Sequence, residues 1–132
     1  MTAGDQQIGP LTRRVVQYVE TMERLVPTVA APADWAPLTE FVATDEFERV
    51  GTFLEVQNWQ QYTEMLTRWA SGIDSFETSL LRVSELPDLV YYEVEERHHF
   101  SGGVRVVNSL TVFQFDPGAK IRHLDVYLRQ AR

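Results

Sequence analysis

Cysteine is missing altogether from the 132 residues, and glycine and proline are sparse, at seven and six. Without thiols there can be no disulfide, no thiolate nucleophile and no cysteine-bound zinc, a composition that fits a reducing cytoplasm. The sequence holds no glycine-rich phosphate cradle, no nucleophile elbow and no HExxH zinc motif. Nor is there an apolar run long enough to span a bilayer, and the polar start from Met1 to Gly9 lacks the basic-then-apolar pattern of a secretory signal. Basic residues are few and scattered: twelve Lys and Arg against nineteen Asp and Glu give a net charge of −7. No basic stripe is left to neutralise a phosphate backbone, so nucleic acid is not an expected partner, nor is a membrane. A cytoplasmic protein is expected.

What is present is enough apolar material, 44% of the residues, for one core. A flexible segment is expected over residues 1–10 and a single domain over 11–132. From Pro10 onward Leu11, Val15, Tyr18, Val19, Met22 and Val26 recur at helical steps, predicting an amphipathic helix that ends near Pro27. Residues 28–33 read as a loop. Asp34 is placed to cap a short second helix carrying Trp35, Leu38, Phe41 and Val42. An extended piece over 46–56, broken at Gly51, leads to Asn58 and Gln61, which stand in capping-box relation at the head of a third helix. Trp59, Tyr62, Met65, Leu66 and Trp69 form its apolar stripe, and Gly72 supplies a left-handed stop.

Beyond Gly72 the period changes to two, predicting strands over 75–84, 89–100, 104–115 and 121–129. The connections are too short for crossovers, so the strands should form an antiparallel meander, and helices followed by strands is the α+β order. Composition assigns the buried face: Val90, Tyr92, Val94, Glu96 and His98 in the second long strand, and Leu124, Val126 and Leu128 in the last. A two-residue loop within Ser101-Gly102-Gly103 would set Tyr92 opposite Thr111, Val94 opposite Ser109, Glu96 opposite Val107 and His98 opposite Arg105. A three-residue loop would instead turn Asn108 and Leu110 inward.

Two stretches, "VVNSLTVFQFDPGAKIRHLDVYL" and "GTFLEVQNWQQYTEMLTRWASGIDSFE", together with the order of elements from about Leu11 to Leu128, resemble the nuclear transport factor 2-like superfamily, on its SnoaL-like and ketosteroid isomerase-like side. The resemblance implies a cone-shaped, cystatin-like α+β domain, a strongly curved antiparallel sheet around the first helix. It also implies a cofactor-independent isomerase, cyclase or hydratase acting on an apolar substrate, or else a ligand-binding module of the same shape, and a homodimer paired through the outer sheet face. In the isomerase branch the pocket-facing tyrosine that donates to a substrate oxyanion falls on Tyr18. The acid sharing that oxyanion hole falls on Thr111, and the general-base aspartate falls near Val50, beside Glu48 and Arg49. Two of the three isomerase groups are therefore not reproduced.

The residues themselves offer Glu96 and His98, two apart on the buried strand face, as a base and its partner or proton donor. The plainer alternative is a solvated cross-strand cluster with Arg105 at the rim. Tyr18 could donate to developing oxygen charge or merely pack its ring and satisfy its hydroxyl on the backbone. Ser109, Thr111, Tyr92, Val126 and Leu128 could contact substrate, and Trp35, Phe47, Trp59, Tyr62 and Trp69 could wall the pocket or simply fill the core. His98 and His99, being adjacent on a strand, point to opposite faces and cannot share a metal ion. No metal site and no cofactor are expected.

Overall fold

The computed structural model describes residues 8–130. Most of the segment expected to be flexible lies outside those residues, as do positions 131 and 132, and Pro10 already opens helix α1, Pro10–Leu25. Its buried positions Val15, Tyr18 and Met22 follow the three- and four-residue steps of the sequence. Gly9 offers no side chain to cap the helix. The first-turn amides, which have no partner within the helix, are met instead by a carboxylate more than seventy residues away: Glu85 accepts from the backbone N–H groups of Leu11 at 3.4 Å and Thr12 at 2.7 Å, and from the Thr12 hydroxyl at 2.7 Å.

The second helix is a 3-10 helix, Pro32–Phe41, which starts before Asp34. Asp34 is thus inside the first turn and not at the cap. It reaches back to accept from the N–H groups of Ala30 and Ala31 at 2.9 and 3.0 Å, bonds that hold its carboxyl below the usual range. Helix α2, Trp59–Ser71, begins with the expected box: Gln61 N–H donates to Asn58 Oδ1 and Asn58 N–H to Gln61 Oε1, both at 2.9 Å. Gly72 ends it with φ −97°, so the stop is not left-handed.

Six strands form one curved sheet in the order β2-β1-β6-β5-β4-β3, with β1 over Glu48–Val50 and β2 over Val56–Gln57. The long ones are β3 Ser75–Glu85, β4 Leu89–Phe100, β5 Gly103–Phe115 and β6 Ile121–Gln130, paired as an antiparallel meander. Bulges in β3 at Leu81 and at the β5–β6 junction near Arg122 interrupt the ladder where a sheet must bend. Phe100 pairs with Gly103, so the β4–β5 loop has two residues, and Tyr92 faces Thr111 while Val94 faces Ser109. Gly103 has φ +143°, a backbone conformation open to glycine.

The extended piece before α2 is a small hairpin, β1 Glu48–Val50 and β2 Val56–Gln57. Here the wholly antiparallel expectation is corrected: β1 lies parallel to β6, with Arg49 beside Leu124, making the sheet mixed. The pairing joins segments more than seventy residues apart, which no local period announces. Thr52 pins the hairpin, donating from its hydroxyl to the Val126 carbonyl at 3.3 Å and accepting the Leu128 N–H at 3.1 Å. Both α helices close over the inner face, where Tyr92, Val94, Phe113 and Leu124 are buried.

Removing the Glu85 carboxylate leaves first-turn amides unmet. Glu85→Ala is expected to lower unfolding free energy by about 1–2 kcal/mol in urea denaturation, with a smaller loss for Glu85→Gln. An unchanged midpoint would show that water caps α1 equally well.

Candidate functional site

Between α1, α2 and the inner sheet face lies a cavity of about 240 Å³. Its floor and sides are mainly apolar, from Val19, Met22, Met65, Leu66, Phe76 and Phe113. Into it reach a few polar groups: Tyr18 from α1, Tyr62 from α2, Glu96 and His98 from β4, Ser109 and Thr111 from β5, and Arg49 from β1. Val126 and Leu128 of β6 line it too, Leu128 from a partly exposed position. Strand alternation places these residues together, since β4 even positions, β5 odd positions and β6 even positions share one face in the observed register.

Glu96 and His98 form the centre of a directed chain. The Trp69 indole N–H donates to His98 Nδ1 at 3.1 Å, and because indole nitrogen can only donate, Nδ1 must accept. The imidazole proton then sits on Nε2, 2.9 Å from Glu96 Oε1. The Ser109 hydroxyl donates to the other carboxylate oxygen, Oε2, at 2.6 Å. His98 is only 6% exposed, wedged edge-on between Trp69 and Phe76. Arg105, its cross-strand register partner, is exposed and takes no part in this chain. The cluster is thus an ordered wall of the cavity and not a solvated rim.

Tyr18 and Tyr62 make a second pair, their hydroxyl oxygens 3.1 Å apart. One proton joins the two oxygens, which leaves the other hydroxyl proton for a further acceptor. Burial is the main force raising both phenols above their ordinary value; the neighbouring Tyr62 adds to it for Tyr18, while Arg49 pulls each down in part. Near neutral pH both are therefore neutral donors. Burial likewise pushes Tyr92 up to about 12. Among the described residues, no three His, Asp or Glu side chains are grouped so as to hold a metal ion, and no helix is long and apolar enough to cross a membrane.

At the level of sequence, no family model and no curated protein matches the chain. In three dimensions it is similar to many solved structures. An NTF2-like protein from Anabaena variabilis is 18% identical, with a TM-score of 0.72 over 90% of this chain and 89% of that one. A protein from Shewanella denitrificans proposed to be a SnoaL-like polyketide cyclase is 11% identical, with a TM-score of 0.73 over 92% of both. The chain has the nuclear transport factor 2-like fold. A hypothetical protein from Catenulispora acidiphila with a ketosteroid isomerase-like fold, solved in complex with trimethylamine, is 16% identical, with a TM-score of 0.62 over 84% of both. Identities this low convey the shape of an NTF2-like domain and not its chemistry.

Of the residues singled out from sequence, Tyr18, Tyr92, Glu96, His98, Ser109, Thr111, Val126 and Leu128 come together on the cavity. Trp35, Phe47 and Trp59 do not line it. Trp35 is fully buried on the 3-10 helix, its indole N–H on Thr67 Oγ1 at 3.0 Å. Phe47 stacks on Tyr62 with ring centres 5.4 Å apart and meets Trp59 edge-on at 5.2 Å, so these two rings back the pocket wall from one layer behind. Helical spacing marks a ring as buried without saying which side of its neighbour it occupies. Nothing local in the sequence marks Arg49, because its place depends on β1 docking beside β6.

The shielded phenols have a measurable consequence. The folded state holds the Tyr92 proton to higher pH than the unfolded chain, so this phenol leaves stability unchanged below about pH 10 and lowers it as pH rises toward 12. Near pH 10 the folded protein should show less phenolate absorbance than its five tyrosines show in urea at the same pH. Equal absorbances would mean that no tyrosine is shielded.

Proposed function

We propose that this NTF2-like domain is a cofactor-independent acid–base enzyme for a small, largely apolar substrate, of the isomerase, cyclase or hydratase kind. The observation that carries the reading is Glu96: a carboxylate on the wall of an apolar cavity, each oxygen fixed by one protein donor, His98 Nε2–H or the Ser109 hydroxyl. Each oxygen keeps lone-pair capacity for a ligand. Glu96 would take a proton from an activated C–H or from water and return it, with His98 and Ser109 as positioning residues. Tyr18 and Tyr62, kept neutral by burial, supply a hydroxyl proton to the oxygen on which negative charge grows. Tyr92, Thr111, Val126 and Leu128 would shape the remaining contacts. No step calls for a metal or organic cofactor.

The proton step can be assayed without the natural substrate. In D2O, an apolar bicyclic ketone such as 2-tetralone should exchange its α-protons faster with the protein than with buffer, as followed by NMR. Glu96→Gln, if folded by circular dichroism, should slow the catalysed exchange by about 10²-fold or more. Wild-type rates in that variant would remove Glu96 from the chemistry, and ligand retention with no exchange in either protein would favour a non-catalytic binding module of the same shape.

The outer sheet face mixes Tyr91, Val104, Val106 and Tyr127, all exposed, with charged neighbours such as Arg97 and Asp125. Pairing of two copies through this face is part of the proposal. Sedimentation velocity should give a dimer, and a monomer at micromolar concentration would count against the pairing.

A further inference from the structure

We propose that the molecule taken up by the cavity is an apolar monocarboxylate whose carboxylate seats on Arg49. The inference rests on the acid–base reading of the same cavity and names the class of substrate it serves.

Arg49 is the single Lys or Arg among the described residues that line the cavity. Its side chain is only 12% exposed, yet one guanidinium nitrogen, Nη1, accounts for its protein hydrogen bond, to Gln57 Oε1 at 3.0 Å. The nearest carboxylate, Glu55, stands 3.9 Å away and is itself 47% exposed, a loose pair that leaves the guanidinium free to take a second anion. A guanidinium has five N–H donors in a planar fork, and the Arg49 nitrogens without a protein partner are accessible, so they are open to the two oxygens of a carboxylate. The Tyr62 ring lies beneath it, 5.6 Å from the guanidinium carbon, and the Tyr62 hydroxyl, paired with that of Tyr18, feels the charge of both Arg49 and Glu96.

Glu96 does not meet this need. Both its oxygens are engaged by His98 and Ser109, and no ion pair joins it to Arg49 among the described residues. The two charges sit on β1 and β4, three strand positions apart around the curve. A monoanion matches the one cation, Arg49, whereas a phosphate dianion would find no second cation among the described residues of the lining. The apolar walls between Arg49 and Glu96 then hold the ligand body, leaving its reacting C–H or oxygen toward Glu96.

Calorimetric titration with 2-naphthoate, its neutral counterpart 2-naphthamide and 2-naphthyl phosphate tests the assignment. The wild-type chain should bind naphthoate at least about tenfold more tightly than naphthamide, and more tightly than the phosphate. Arg49→Gln should bring naphthoate and naphthamide to within about twofold, and Arg49→Lys, which keeps the charge and loses the fork, should fall between. Equal affinities in the wild type, absence of naphthoate binding, a preference for the phosphate or a carboxylate preference that survives in Arg49→Gln would each overturn the proposal. The wild-type comparison decides even if Arg49→Gln fails to fold. Exchange activity that depends on Glu96 without any carboxylate preference would leave the acid–base reading standing and remove this one. A preference that depends on Arg49 in a protein without exchange would do the reverse.

Discussion

Phe100 and Gly103 face each other across a turn of only two residues, and because strand side chains alternate with a period of two, this closure orients everything on β5. One more residue in the loop would have turned Asn108 and Leu110 inward and left Ser109 and Thr111 outside. Ser109 could then not reach Glu96, and the carboxylate would face the apolar cavity with one donor fewer. Gly103, at φ +143°, makes the tight closure sterically accessible. The arrangement of polar groups inside the domain is thus fixed by a feature at its edge.

Polarity in the cavity is ordered by what each group can and cannot donate. An indole N–H has no acceptor role, so Trp69 determines the tautomer of His98, and His98 in turn orients Glu96. A second proton on His98 Nδ1 would set two N–H donors against each other at 3.1 Å. The ring is therefore suited to holding a carboxylate in place more than to cycling its own charge. The tyrosine pair works by a different logic, since burial keeps both phenols neutral and one of two hydroxyl protons stays uncommitted. Donor, acceptor and cation are few and interrupt an otherwise apolar wall.

Much of the fold was readable because its signals are local. The capping box at Asn58 and Gln61, the stripe on α1 and the switch to a period of two after Gly72 each involve residues within a few positions of one another. Glu96 and His98 stand out in the sequence for the same reason, as polar residues on a strand face otherwise composed for burial, and both line the cavity. What escaped depends on distant segments meeting. The parallel seating of β1 beside β6 carries Arg49 to the cavity, and neither β1 nor β2 is long enough to show a pattern of its own. The layer that Trp35, Phe47 and Trp59 occupy follows from how the 3-10 helix and α2 pack together, which ring spacing does not encode.

The carboxylate of Glu85 gives the domain a long-range latch. Since the first turn of α1 finds its acceptor on the final residue of β3, the helix start is left incomplete until more than half the sequence has been made and β3 has reached it. Closure of a loop that long is entropically slow compared with winding a helix. The leading turn of α1 thus gains its acceptor only when the sheet is in place beside it.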